Sequence, residues 1–184
     1  MVMATGISAR RASTLWIMLL TIASTLGTLA LACATPFTAL AALAATQMRL
    51  RDGVLLMLAS WVASQAVGFC VLGYPHTTST FLWGIALGMA AVVGVIAARF
   101  AAKRFGRNRP LFGIATAFLA ATLAFQGVIL LWAFGLGGVA TTLSPAINAT
   151  QLARNGAILI VLMLLYRGLV ALGMPAAGKR RLAT

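Results

Sequence analysis

Apolar residues gather into six runs that are separated by short polar segments, and five of these runs are long. A helix of about 20 apolar residues crosses the hydrocarbon core of a bilayer, which is about 30 Å thick. The pattern predicts an all-α integral membrane protein in which residues 1–184 form one domain of six transmembrane helices. The predicted spans cover approximately residues 15–34, 36–48, 54–72, 81–98, 111–134 and 146–172.

The second run is the shortest of the six. It follows Thr35-Pro36, where proline lacks a backbone donor and disfavours helix in the residue before it. At about 1.5 Å per residue it covers only some 20 Å, less than the thickness of the hydrocarbon core. Two interpretations stay open: a short tilted span that begins near Ala32, or a re-entrant segment.

Basic residues predict the orientation of the bundle. All of the 14 Lys and Arg residues except Arg154 lie between apolar runs or near their ends. Six crossings place these residues on one side, whereas five would put Arg49 and Arg51 opposite the N-terminus. The positive-inside rule therefore predicts that both termini are cytoplasmic, in a bacterial inner membrane.

The first run also has features of a signal peptide, because Arg10-Arg11 precedes it and small residues such as Ala30, Ala32 and Ala34 lie near its end. Cleavage is the alternative interpretation here. A retained first span is favoured because the topology of the later segments works with that span in place.

Composition excludes several classes of function. Hydrophobic residues make up 62% of the chain and charged residues 8%, so lipid is the main solvent. The net charge of +13 is a topology signal, and we expect no nucleic-acid partner. With one His and one acidic residue, the chain has no set of residues for hydrolysis or a proton relay. We therefore expect a protein that is not an enzyme.

Polar residues on the last predicted helix form its most informative feature. Asn148, Gln151 and Asn155 recur at a spacing of three and four, so they share one face, and Arg154 lies at its edge. Asp52, the single acid, lies at the inner end of the third span and is too far away to neutralise Arg154. Either these groups bond to neighbouring helices and Arg154 extends toward the membrane surface, or they bind a solute or head group. An arginine without a counter-ion suits an anionic or amide-rich ligand.

A second group of candidates surrounds the outer end of the third span. Trp61 and Gln65 share a face of this span, and Tyr74 and His76 lie in the loop that follows it. Cys70 lies near the same end, and Cys33 lies near the outer end of the first span. Three interpretations stay open for the cysteines: apolar packing, a disulfide, or a ligand-binding thiol.

With this architecture, the chain resembles the substrate-binding S components of energy-coupling factor (ECF) vitamin transporters, and among them the solitary cobalamin-transporting group called BtuM. The resemblance implies uptake of a vitamin-like solute, with no intrinsic cofactor and a corrinoid as the transported ligand. It also implies an ATPase-containing energy-coupling module as a partner. Cys70 would face the cobalt, Tyr74 would be a pocket aromatic, and Arg154 would reach the ligand's amides or phosphate. The chain lacks the acidic pocket residue that this group would be expected to have, and His76 is an alternative coordinating group.

The alternative function is a non-catalytic structural or assembly subunit of a larger membrane complex, which would use small-residue pairs such as Gly84 and Gly88. Convergence of the polar side chains on one cavity would favour uptake, and pairing between helices would favour assembly. The candidate ligand-binding residues are Trp61, Gln65, Cys70, Tyr74, His76, Asn148, Gln151, Arg154 and Asn155.

Overall fold

The computed structural model describes residues 13–22, 36–106, 109–174 and 176. Their regular structure is helical throughout, which confirms the predicted all-α fold for this part of the chain. The helices are α1 (Ser13–Ile22), α2 (Phe37–Gln47), α3 (Leu50–Cys70), α4 (Thr78–Phe105), α5 (Pro110–Leu136), α6 (Val139–Thr142) and α7 (Pro145–Ala171).

Four of these helices, α3, α4, α5 and α7, are long and apolar enough to cross a membrane. The helices α1 and α2 are apolar but shorter. The rest of the predicted first span, together with Cys33 and the proposed cleavage region, lies outside the described residues. The four long apolar helices are consistent with a lipid bilayer as the environment of the chain, as the composition predicts.

Helix α2 lies at the centre of the bundle, in contact with α3, α4, α5 and α7. All nine residues of its first part, 37–45, are buried. Five of them are alanines, whose small side chains let neighbouring helices approach closely. At about 1.5 Å per residue α2 is roughly 16 Å long, so this helix is too short to span the hydrocarbon core by itself.

The long helices extend beyond the predicted apolar runs. Helix α4 begins at Thr78, where the Thr77 hydroxyl accepts a hydrogen bond from the Thr80 amide at 3.3 Å, and it continues through Lys103 and Arg104 to Phe105. Long basic side chains can extend toward water, so they continue a helix beyond the apolar region. Pro145 occupies the first turn of α7, as predicted.

The contacts between helices define two ends of the bundle. At the basic end, Arg99 of α4 bonds to the last turn of α2, and the Ser13 hydroxyl of α1 donates to Asp52 near the start of α3. At the far end, the start of α2 packs on the second half of α5 through Phe37 and Phe125. Helices α2, α3, α4 and α5 therefore alternate in direction, and their basic residues lie at one end.

Candidate functional site

A cavity of about 350 Å³ lies in the far half of the bundle, between the start of α2, the second half of α5 and the first turns of α7. Its volume lies within the range of small-molecule sites in proteins. Its wall combines apolar side chains with six polar residues: Thr38, Thr122, Gln126, Asn148, Gln151 and Asn155. We refer to it as the far-end cavity.

Amide side chains connect the helices on one side of this cavity. The Gln126 amide nitrogen on α5 donates to the Asn148 side-chain oxygen on α7. The Asn148 amide nitrogen donates to the Thr142 carbonyl oxygen of α6 at 3.0 Å. These hydrogen bonds hold the Gln126 and Asn148 side chains in place, because each amide has a partner on another helix. The two amides thus form a polar part of the cavity wall.

Two other polar groups of the wall have unused hydrogen-bonding capacity. The side chains of Thr38 and Asn155 are each only 8% exposed. The Thr38 Oγ1 and the Asn155 Oδ1 have no hydrogen-bond partner among the described residues, whereas the Asn155 Nδ2 donates to the Gln151 carbonyl oxygen at 3.0 Å. A buried polar atom without a partner costs about 1–3 kcal/mol, so a ligand that bonds to these atoms after a rotation of the two side chains toward the cavity would recover that energy.

The apolar part of the wall is partly aromatic. The rings of Phe37 and Phe125 stack with their centroids 5.9 Å apart. The lining residues in the described part of the chain include no charged side chain. The cavity can therefore hold an uncharged solute that has an apolar or planar portion and a few hydrogen-bonding groups.

The structure brings together three of the four candidate residues predicted on α7, and their role in binding stays a prediction. Asn148, Gln151 and Asn155 all line the far-end cavity. Arg154 is exposed and is not one of the lining residues, because it lies one helical position, about 100°, from Asn155. It therefore has no place in the observed wall of the cavity.

Sequence reasoning missed Thr38 and Gln126. Gln126 had a signal in the sequence, since it is an amide within the apolar run of α5 and needs a partner there. Thr38 had no such signal in the sequence, because a threonine hydroxyl can also donate to a backbone carbonyl oxygen in the preceding turn of its own helix. Thr46 of the same helix does so, donating to the Ala42 carbonyl oxygen at 2.9 Å.

Trp61 and Gln65 pack between helices α3 and α4. The Trp61 indole nitrogen donates to the Gly84 carbonyl oxygen at 2.8 Å. The indole ring lies against Gly88, and the Gln65 side-chain oxygen lies against Gly84. The pair Gly84 and Gly88, considered above as a surface for a partner helix, therefore receives side chains of the chain's own α3.

Tyr74 and His76 belong to an aromatic cluster at the end of α3. The ring of Phe69 lies 6.0 Å from that of Tyr74, 5.4 Å from that of His76 and 5.0 Å from that of Phe81, measured between centroids. Neither Tyr74 nor His76 lines the far-end cavity. Their observed contacts are those of a packed loop.

Cys70 is a free, exposed cysteine that follows Phe69 and is not a lining residue of the far-end cavity. Within the described ranges there is no group of three or more His, Cys, Asp or Glu residues that could hold a metal ion. The role of Cys70 toward a corrinoid cobalt thus stays a prediction.

The structure therefore separates the candidate residues into a cavity-lining group on α7, an interhelical pair on α3 and an aromatic loop. Comparisons with protein-family models, with curated proteins and with solved structures find no match to this chain. The function of these three groups therefore has to be inferred from the chain's own residues.

Proposed function

We propose that this chain is a multi-pass protein of the bacterial inner membrane that binds a small vitamin-like solute in the far-end cavity and takes part in its uptake. The observation that carries the proposal is the far-end cavity, in whose wall Thr38 and Asn155 each hold a buried oxygen without a partner among the described residues. A donor group of the solute would bond to the Asn155 oxygen, and the Thr38 hydroxyl can either donate or accept.

The orientation of the bundle supports uptake from outside. Arg49, Arg51, Arg99 and Lys103 lie at the basic end, and the positive-inside rule places this end in the cytoplasm. The far-end cavity then lies in the outer half of the bundle, the half from which uptake would begin.

The wall chemistry favours an uncharged solute with an aromatic or other planar part. The stacked pair Phe37 and Phe125 offers an apolar surface, and the amides of Gln126 and Asn148 offer fixed polar groups. The corrinoid proposal depends on Cys70, which lies outside this wall. The cavity itself therefore favours a smaller solute.

The experiment is a thermal-shift screen of the detergent-purified protein with uncharged vitamins, namely riboflavin, pyridoxine, nicotinamide and cobalamin. We expect one of these solutes to raise the Tm of the wild type and to lose this effect in Thr38→Val. The matched control is Thr46→Val, because Thr46 lies on the same helix but bonds its own backbone. An absence of any shift, or equal shifts in the wild type and Thr38→Val, would contradict the proposal.

The proposal that the bound solute is a corrinoid has a separate test. The protein is purified after growth with cobalamin, and its absorbance spectrum is compared with that of Cys70→Ala. A corrinoid band that shifts in Cys70→Ala would support a thiol facing cobalt. A colourless wild type that does not bind added cobalamin would remove the corrinoid from the proposal.

A second candidate function is the assembly subunit, which one observation favours. An almost entirely apolar groove of about 360 Å³ runs along α3 and α4, with Leu58, Trp61, Ile85 and Met89 in its wall. A subunit held there would be released by Met89→Trp, which fills the groove. Leu119→Trp on the exposed face of α5 is the control, and the readout is the mass of the complex extracted in mild detergent.

A further inference from the structure

A second cavity, of about 280 Å³, lies at the basic end of the bundle. The last residues of α2, the end of α4 and the start of α5 form it together with Arg167 of α7. We refer to it as the basic-end cavity. It lies at the opposite end from the far-end cavity and shares no lining residue with it, so the inference drawn from it does not rest on solute binding there.

Three cations line the basic-end cavity: Arg99, Lys103 and Arg167. Its lining, as far as the structure describes the chain, includes no Asp or Glu. The single acid of the sequence, Asp52, is not a lining residue, and its Oδ2 accepts a hydrogen bond from the Ser13 hydroxyl at 2.8 Å. Among the described residues, therefore, no carboxylate of the wall balances the positive charge of this cavity.

The guanidinium of Arg99 is held in a fixed position. Its Nη1 donates to the carbonyl oxygens of Ala45 at 2.6 Å and Met48 at 3.2 Å. Its Nε is buried, and the structure gives it no hydrogen-bond partner within the described ranges. In the planar guanidinium the edge formed by Nε and Nη2 is the fork that binds two oxygens of one oxyanion.

The start of α5 adds to the positive potential of this cavity. Pro110 occupies the first turn of this 27-residue helix and lines the cavity together with Gly113. A helix N-terminus carries a partial positive charge and free backbone amides, which favour anions. Gly106 and Gly113 let α4 and α5 approach closely here, since a Cβ on Gly106 would lie 2.7 Å from the Gly113 Cα.

We propose that the basic-end cavity binds a phosphate group, with Arg99 as the bidentate ligand and Lys103 and Arg167 as further cations. At the cytoplasmic surface two sources supply this chemistry, the head group of an anionic lipid and a soluble phosphate. Basic pockets between transmembrane helices on the cytoplasmic side are suited to anionic head groups. Both sources bring oxygens that can accept hydrogen bonds from the Nε and Nη2 edge of Arg99.

The test uses the full chain, purified in detergent and freed of lipid. Native mass spectrometry measures the binding of phosphatidylglycerol and of diacylglycerol with the same acyl chains, which lacks the phosphate. Calorimetric titration with inorganic phosphate measures the soluble source. We expect one phosphatidylglycerol per chain, held at least about tenfold more tightly than diacylglycerol, since a charge-assisted hydrogen bond contributes about that factor.

The matched variants differ by one position on α4. Lys103→Gln and Arg104→Gln remove the same charge from exposed neighbours, but only Lys103 lines the cavity. Lys103→Gln and Arg167→Gln are each expected to weaken phosphate binding about fivefold, and Arg104→Gln less than about twofold. Arg99→Lys keeps the charge but loses the fork, so it is expected to weaken binding about tenfold. Lys103 and Arg167 are exposed, so these two variants are expected to fold, which Tm and circular dichroism check.

The results of these experiments distinguish an anionic lipid from soluble phosphate as the source of the bound group. Binding of phosphatidylglycerol with this variant pattern assigns the lipid, and binding of inorganic phosphate with the same pattern assigns the soluble anion. Equal effects of Arg104→Gln and Lys103→Gln would overturn the proposal, as would failure of both phosphate probes. It would also be overturned if tetraglutamate bound with this pattern while the phosphates did not, because the site would then recognise a protein carboxylate.

Discussion

The guanidinium of Arg99 caps the central helix: its Nη1 lies 2.6 Å from the carbonyl oxygen of Ala45 in the last turn of α2. The last carbonyls of a helix have no partner within it, and here the acceptors belong to Ala45 and Met48, which are both buried. A cation at this position also interacts favourably with the helix dipole. Arg99 thus connects α4 to the centre of the bundle.

Replacement of Arg99 by methionine is expected to lower the free energy of unfolding by about 2–3 kcal/mol, because buried carbonyls of Ala45 and Met48 lose a charged donor. Chemical denaturation in detergent measures this. Arg104→Met, on the same helix but exposed, is the control and is expected to change stability by less than about 0.5 kcal/mol. Equal losses in both variants would mean that Arg99 has no capping role.

Substitution of Gly88 by alanine is expected to destabilise the protein by about 1–3 kcal/mol, because a Cβ there would lie 2.8 Å from Cε2 of the Trp61 indole. The ring is held by its bond to the Gly84 carbonyl oxygen and cannot move freely. In a Trp61→Ala background the same substitution should cost almost nothing. Thermal unfolding of the four proteins in this double-mutant cycle gives the coupling energy.

Gly84→Ala is expected to be nearly neutral, although its Cβ would lie 2.7 Å from the Gln65 side-chain oxygen. That oxygen is at the end of a flexible side chain, which can rotate away. If Gly84→Ala lowered the stability as much as Gly88→Ala does, the Gln65 side chain would be as rigidly held as the Trp61 ring. Unfolding of the two variants under the same conditions makes this comparison.

Gly73, in the loop three residues after the end of α3, has a φ of 67°, and no other group lies within 4 Å of the position of a Cβ. Gly73→Ala is therefore expected to cost about 1–2 kcal/mol from backbone strain alone, and Gly73→Asn less, because asparagine tolerates this conformation better. The control is Gly135→Ala in α5, which has open space and no positive φ. Equal stabilities of Gly73→Ala and Gly135→Ala would contradict the strain argument.

Hydropathy predicted the long helices because an apolar run of sufficient length is itself the signal for a span. It predicted their ends less well. The run of α4 ends where Arg99 begins the basic cluster, yet the helix continues to Phe105. For the second segment the sequence indicated a short element, and α2 has 11 residues. Its central position had no sequence signal, because alanine is compatible with both lipid and protein surroundings.

The candidate site was predictable only within one helix. Helical spacing places Asn148, Gln151 and Asn155 on one face, and all three line the far-end cavity. Thr38 and Gln126 come from other helices, so their contribution requires the arrangement of the bundle. The sequence also indicated that Gln65 needs a polar neighbour, but it could not show that the side chain packs against α4.

Thr38→Val is expected to stabilise the ligand-free protein by about 1 kcal/mol and to abolish binding of the solute. Valine has nearly the shape of threonine and lacks the buried hydroxyl, whose oxygen has no partner within the described part of the chain. Thr46→Val removes a hydroxyl that bonds to its own helix, so no such gain is expected there. Unfolding of both variants without ligand measures the difference.

Destabilisation by Thr38→Val would show that the hydroxyl is already satisfied, by water or by another part of the chain. A gain in stability together with a loss of binding would show that the buried oxygen is retained for its ligand, because it does not stabilise the fold.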